Sequence, residues 1–508
     1  MRRPACAGLT CLLFATTGAF AQFAGTGDLT IDKPADKADV VSTPTPDGAL
    51  GATAHADSTG VLAGGVENPG KTRLPRIFSD GMILQRDQPV PVWGWADPGE
   101  QVTVEFAGQT KSVKADAAGK WTTSLDPLPA SAEPRTLHVG SLDITNVLAG
   151  DVFQVSGQSN AASSMDSCKR FPGTTEDIKT TTLPTVRIFA VPWSLFYSTP
   201  QEDVPATCVW ESLRPEMNAS YSAIAFYFAR SLYQHLNVPI GIVRASHAGG
   251  MAQIKMPKEA LLSYESGRKF YENGIKRPKV DGGYPSSDWN GAIAPVIRYG
   301  KRGIVWYQGE HNAGSASYIY RETLPVLIRS WREACGNPEM PFLIVQLPAF
   351  EAQGWPMLRE SQLVTYRKTK NAGFVVTIDH GEKDNIHPAD KKPVAERLAL
   401  EARRLVYGEK VTGCGPLYDG FSVDAAHIVV RFTGSELKRV GGGFTIAGED
   451  KVFVPASAVI RGNTVVVSNP AVTNPVAVRY EWESWPTVSL FDEHDLPASP
   501  FRTDDWEK

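Results

Sequence analysis

At 508 residues the chain exceeds the size at which one hydrophobic core keeps growing, so two to four domains are expected. Its 42% hydrophobic and 21% charged residues are ordinary for a globular protein, and a formal net charge of −4 without basic runs removes the electrostatic case for a nucleic-acid partner. No later segment reaches about 18 uninterrupted apolar residues, which argues against a membrane span.

The chain opens with Met1, Arg2 and Arg3 ahead of an apolar run, "GLTCLLFATTGAFA", that ends in the small-x-small triplet Ala19-Phe20-Ala21. This reads as a secretory signal peptide over residues 1–21, so the mature protein is expected in the periplasm or outside the cell. Residues 22–70 are poor in aromatics and rich in Asp, Ala, Gly, Thr and Pro. Such a segment buries too little apolar surface to offset its ordering entropy and is expected to be a flexible leader. Over 71–148, short alternating runs such as "PVPVWGWA" and "QVTVEFAGQ" stand between Gly, Pro and Asp, the spacing of a β-sandwich-like domain.

From 149 to 410 strands alternate with helices. Strands are expected at 152–155, 239–244, 303–307, 342–346 and 374–378. In "SAIAFYFARSLYQHL", Ala225, Phe228, Ala229, Leu232 and Leu236 fall on one helical face, and Val394, Leu398, Ala402 and Leu405 make a similar stripe. Apolar strands alternating with helices predict an α/β fold, a parallel sheet covered on both faces. After 410, runs such as "HIVVRFT" and "NTVVVSN" predict a β-rich region over 411–508. Cys6 and Cys11 leave with the signal; Cys168, Cys208, Cys335 and Cys414 allow up to two disulfides or four buried thiols. None sits in a C-x-x-C, so the pattern supports neither zinc nor redox chemistry.

In an open parallel sheet the ligand crevice lies beyond the carboxyl ends of the strands. The segments there are Gly157-Gln158-Ser159-Asn160, Ser246-His247-Ala248-Gly249-Gly250, Gln308-Gly309-Glu310-His311-Asn312 and "DHGEKDNIHPAD". Together they supply a serine, a glycine turn, carboxamides and an Asp-x-x-His pair, Asp384 and His387. These are the parts of a serine hydrolase: an imidazole takes the hydroxyl proton, a carboxylate fixes its tautomer, and amide N–H groups hold the oxyanion. No G-x-S-x-G elbow surrounds Ser159.

"SGQSN", "NGAIAPV", "IVWYQGEHNA" and "DNIHP" resemble the sialate O-acetylesterase group of the SGNH (GDSL-like) hydrolase superfamily, and the likeness extends over most of the chain from about Leu74. The resemblance implies a three-layer αβα sandwich flanked by all-β regions, and hydrolysis of O-acetyl groups on a sugar, sialic acid or another glycan such as xylan. It needs neither metal nor organic cofactor. Carried over by position, it makes Ser159 the nucleophile, His387 the base and Asp384 its orienting partner. The Ser159 N–H, the Gly249 N–H and the Gln308 amide would form the oxyanion hole, with Asn312 competing for the amide role. Asn160, His247, Glu310, His311 and Asn312 are candidate pocket residues. Relatives often read G-Q-S-N-M-E; here Ala161 and Ala162 follow Asn160, which points to a remodelled pocket.

Blander readings stand beside these. A serine after a strand commonly caps a turn. His387 precedes Pro388 and a helix, His380 is the other histidine at that strand end, and Glu310 or Asp379 are other carboxylates able to orient the imidazole. Trp289, Trp306 and Tyr307 are either sugar platforms or buried aromatics. A non-catalytic glycan-binding or surface assembly protein would keep the β regions without needing Ser159, Asp384 and His387 together.

Overall fold

The computed structural model describes the backbone of residues 66–67 and residues 72–506 except 193–194, 247 and 277–283. The expected signal peptide and nearly all of the leader lie outside the described residues. All described residues belong to one compact unit, Asp57–Lys508, and among the described residues no helix is long and apolar enough to cross a membrane.

A mixed α/β fold is built around one long strand, β1 (Leu142–Gly157). Its first half pairs with strand Ser131–Val139 and strand Ile83–Gln85 of the N-terminal β region. Its second half is the middle of a parallel sheet, so the expected boundary at 148/149 falls inside a continuous strand. Eleven consecutive residues, 147–157, are buried, as expected of a central strand in a parallel sheet.

The other strands of this sheet are β2 (Leu183–Ala190), β3 (Trp210–Leu213), β4 (Ile240–Ser246), β5 (Gly303–Tyr307), β6 (Phe342–Val345) and β7 (Ala372–Val375), in spatial order β3-β2-β4-β1-β5-β6-β7. Only the edge strand β3 is antiparallel to its neighbour. A four-residue turn of helix, α1 (Ser159–Ala162), follows β1; the longer helices are α2 (Ala223–Leu236), α3 (Tyr320–Ala334), α4 (Trp355–Lys368) and α5 (Lys391–Val406). Helix α2 packs on α5, and α3 on α4.

Local chemistry explains these helices. In α2 the Ser222 hydroxyl accepts the Ala225 N–H at 3.2 Å, which caps the start, and Asn237 adopts the left-handed conformation that ends it. Ala225, Phe228, Ala229 and Leu232 of the predicted stripe are inside and Leu236 is half-buried, with Phe228 edge-on to Phe153 of β1 at 5.1 Å; each such buried aromatic side chain contributes about 1.5–3 kcal/mol. At the other end of the sheet, Asp151 of β1 accepts bonds from Arg86, Arg302 and Tyr407 at 2.8–3.0 Å. Burial would raise the Asp151 pKa, but the two guanidiniums outweigh it and hold it below the usual carboxylate range. The N-terminal β residues from Leu74 onward share one core with the α/β sheet, whereas Ile428, Val430, Phe444, Val465 and Tyr480 form a second core in the C-terminal strands.

All four described cysteines are free thiols, where two disulfides were allowed. Two of them have polar contacts of their own: Cys335 Sγ lies 3.4 Å from the Ile297 carbonyl oxygen, and Cys168 lies 3.8 Å from Ser167 Oγ. The three aromatics considered as sugar platforms are core residues; Trp306 and Tyr307 are wholly buried and Trp289 nearly so.

Candidate active site

From β1 the chain moves to one side of the sheet, to β4, and then crosses back to β5 on the other side. Such a reversal opens a crevice at the carboxyl end of the central strand. Gly157 ends β1 in that crevice, and the next N–H, that of Gln158, bonds across to the Tyr307 carbonyl at 3.1 Å. Ser159 follows, half-buried at the first position of α1. Ala161 is wholly buried and Ala162 only partly so, and of the two alanines the second is therefore the one with surface to offer a pocket.

His387 arrives on the loop between β7 and α5, and its Nε2 lies 2.8 Å from Ser159 Oγ. The loop is held mainly by its main chain. Asn160 Nδ2 donates to the Ile386 carbonyl at 2.9 Å, Arg170 Nη2 to that of His387 at 2.6 Å, and Lys391 Nζ to that of Pro388. Glu382 accepts the Ala389 N–H at 2.8 Å and Arg170 Nη2 at 2.9 Å. Burial would raise the Glu382 carboxyl, but these donors and the Asn385 amide hold it below its usual range. Desolvation, then the charges of Lys391 and Arg170, lower the His387 pKa from its ordinary value.

Asp384, expected to orient the imidazole, makes no hydrogen bond or ion pair with His387 here. It is exposed and forms no hydrogen bond or ion pair among the described residues. The turn around it directs Asn385 and Glu382 inward instead: Asn385 Nδ2 bonds Glu382 Oε2 at 2.8 Å, and Asn385 Oδ1 accepts the His387 N–H at 3.0 Å. The alternative carboxylate Asp379 is paired with Arg397, and His380 with Asp390 at 2.9 Å.

Gln308 lies beneath the glycine turn. It is wholly buried, its Nε2 donating to Asn312 Oδ1 at 2.8 Å and its Oε1 accepting from Tyr320. Asn312 is buried too, bonding the Ala252 N–H at 2.9 Å and Gln253 Oε1 at 3.0 Å. Both carboxamides are therefore committed to supporting the 250–253 segment. Above them Gly249 has a φ of +78° and open space where a Cβ would project. Neither its N–H nor that of Ser159 bonds to a described residue.

Of the candidate pocket residues, Asn160 and Glu310 are buried and bonded to each other, Asn160 Nδ2 to Glu310 Oε1 at 2.5 Å. His311 is exposed, and His247 lies outside the described residues. Among the described residues no three His, Cys, Asp or Glu side chains are placed to hold a metal ion.

A family model described as carbohydrate esterase, sialic acid-specific acetylesterase matches residues 149–401. The sialate O-acetylesterase of Homo sapiens is 30% identical, covering 84% of this chain and 92% of its own length, and that of Pongo abelii is 29% identical over the same shares. The chain belongs to the sialate O-acetylesterase family. As a member it is a carbohydrate esterase. The crystal structure of a carbohydrate acetylesterase from Xanthomonas citri superposes with a TM-score of 0.77 at 35% identity, covering 86% of this chain and all of the other.

In this esterase, sequence reasoning missed Arg170 and Glu382, which meet across 212 positions with no local pattern to announce them. The geometry also yields a test of the carboxylate. Asp384→Asn should keep kcat/KM within about threefold of wild type, since the residue touches nothing in the site. A fall of about a hundredfold or more in the same assay would show that Asp384 turns onto His387 during turnover.

Proposed function

We propose that this carbohydrate esterase removes O-acetyl groups from sugars, O-acetylated sialic acid first among them, through an acyl-enzyme on Ser159 in an SGNH-type three-layer αβα sandwich. The observation that carries the proposal is the 2.8 Å contact between Ser159 Oγ and His387 Nε2 at the reversal point of the sheet. The strand order and the two separate helix pairs support the layer assignment. The names of the human and orangutan relatives support the sialate substrate.

In the mechanism, Ser159 Oγ attacks the acetyl carbonyl carbon as His387 Nε2 takes its proton. The carbonyl oxygen becomes an oxyanion held by the Ser159 and Gly249 N–H groups. His387 then returns the proton to the departing sugar oxygen, the C–O bond breaks, and acetyl-Ser159 remains. Water, deprotonated by His387, attacks the acyl carbon and releases acetate. Because the His387 pKa is lowered, the resting imidazole is neutral near pH 7 and ready to accept the proton.

A second reading, another acetylated glycan such as xylan, draws on the likeness to the Xanthomonas citri carbohydrate acetylesterase. Export by cleavage of residues 1–21 belongs to either reading. Acetate release from O-acetylated sialic acid, acetylated xylan and an aryl acetate separates them. Turnover of the aryl ester is expected with preference for sialate. Wild type no faster than Ser159→Ala on all three would end the esterase mechanism, and preference for xylan would reassign the substrate.

A further inference from the structure

Residues on both sides of the nucleophile are fastened to the turn that follows β5. Gln158 Oε1 accepts the His311 N–H at 3.2 Å, and Asn160 Nδ2 donates to Glu310 Oε1 at 2.5 Å. The same Asn160 Nδ2 donates to the carbonyl of Ile386, the residue before His387, at 2.9 Å. An amide nitrogen carries two hydrogens, so Asn160 uses one on the Glu310 turn and one on the histidine loop. Three segments from three strand ends thus meet on one side chain, next to Ser159. Asn160 is wholly buried, and 7% of Glu310 is exposed, too little for either to serve mainly as pocket wall. A carboxylate inside a protein strengthens a bond from an amide and fixes its direction.

We propose that Asn160 and Glu310 form a positioning pair that sets the distance between Ser159 and His387, doing through the main chain at Ile386 what a carboxylate against the imidazole does elsewhere. This rests on the assignment of Ser159 and His387 above. Glu310 orients the amide; the amide places the Ile386 carbonyl; the carbonyl places the next residue, His387. Neither Asn160 nor Glu310 needs to touch substrate. The pair therefore acts on kcat, because a misplaced base costs proton transfer while leaving the sugar contacts in place.

The test uses the full chain with an aryl acetate, following kcat and KM separately, and a fluorophosphonate that labels the activated serine. Asn160→Ala and Glu310→Ala are each expected to lower kcat by about 30- to 300-fold with KM within about threefold, and the double variant to be no more than about threefold worse than the poorer single. Glu310→Gln keeps an oxygen able to accept the Asn160 N–H and should stay within about tenfold of wild type. Asn160→Asp has the same shape without the donors and sets a carboxylate against Glu310, so it should fall as low as alanine. If the alanine variants fail to fold, judged by thermal melting, the two isosteric variants carry the same comparison.

A rise in KM with kcat kept, singles whose losses multiply, or Asn160→Asp as active as Glu310→Gln would each overturn the pair. Labelling separates this from the acetyl-ester reading. Ser159 labelled fast in wild type and slowly in the variants, with no acetyl ester turned over, supports the pair and removes the acetyl substrate. Labelling equally fast in wild type and all variants overturns the pair whatever the ester.

Discussion

Ser159→Ala and His387→Ala are each expected to lower kcat on an aryl acetate by about 10⁴-fold while KM stays within about threefold. The reason is the single short contact between them. Without Oγ no acyl-enzyme forms, and without Nε2 the hydroxyl keeps its proton and remains a poor nucleophile. The double variant should be no worse than the poorer single, because the two groups act in one proton transfer and that transfer is lost once. The pH profile of wild type adds a sign. Protonated imidazole cannot accept the serine proton, so kcat/KM falls as pH drops through the His387 pKa. Desolvation, Lys391 and Arg170 lower that pKa below its ordinary 6.5, and the acidic limb should therefore have its midpoint below 6.5. A midpoint above 7 would mean that a carboxylate faces the ring after all. An additive double variant would mean that the two residues work in separate steps.

Much of the fold could be read from the chain because its central strands are apolar throughout. The runs at 303–307 and 342–346 coincide with β5 and, to within one residue, β6, and the stripe from Ala225 to Leu232 is buried in α2. Strands β2 and β3 were not anticipated. Both are short of uninterrupted apolar sequence: "LPTVRIFA" carries Pro184 and Arg187, and "WESL" carries Glu211 and Ser212. The first expected strand, 152–155, lies in the second half of a strand of sixteen residues, because β1 serves the N-terminal β region before it serves the sheet, and periodicity changes between the two halves.

The site divides along a similar line. Ser159 and His387 are legible because the chemistry demands those residue types at strand ends. Asp384 is a lesson in the opposite direction: the Asp-x-x-His spacing suggests a pairing, but which side chain of a loop points inward is set by its turn. Here Asn385 and Glu382 take the inner places. Gln308 likewise has the right type at the right strand end, and its orientation was decided by Asn312 and Tyr320, which bond it from below. Side-chain direction depends on partners that are remote in sequence, as Asn160 and Glu310 are at 150 positions apart.

Gly157→Ala is expected to cost about 3 kcal/mol or more of stability and to lower kcat by about a hundredfold or more in whatever folded fraction remains. A Cβ built on Gly157 would stand 2.0 Å from the Tyr307 carbonyl oxygen and 3.0 Å from Ala161 Cβ, and the backbone there has a φ of +147°. Neither neighbour is the free end of a flexible side chain. One is the main chain of β5 and the other belongs to α1, so relief requires the two central strands to part or the helical turn to lift. Either movement carries Ser159, two residues on, away from His387. Gly249→Ala is the control. It too has a positive φ, +78°, but its Cβ would meet nothing within 4 Å, so the change should cost only about 1 kcal/mol of backbone strain. Urea midpoints and kcat measured on both variants decide the matter. If Gly157→Ala unfolds at the same midpoint as Gly249→Ala and keeps wild-type kcat, the close approach of β1 to β5 is not what fixes the nucleophile.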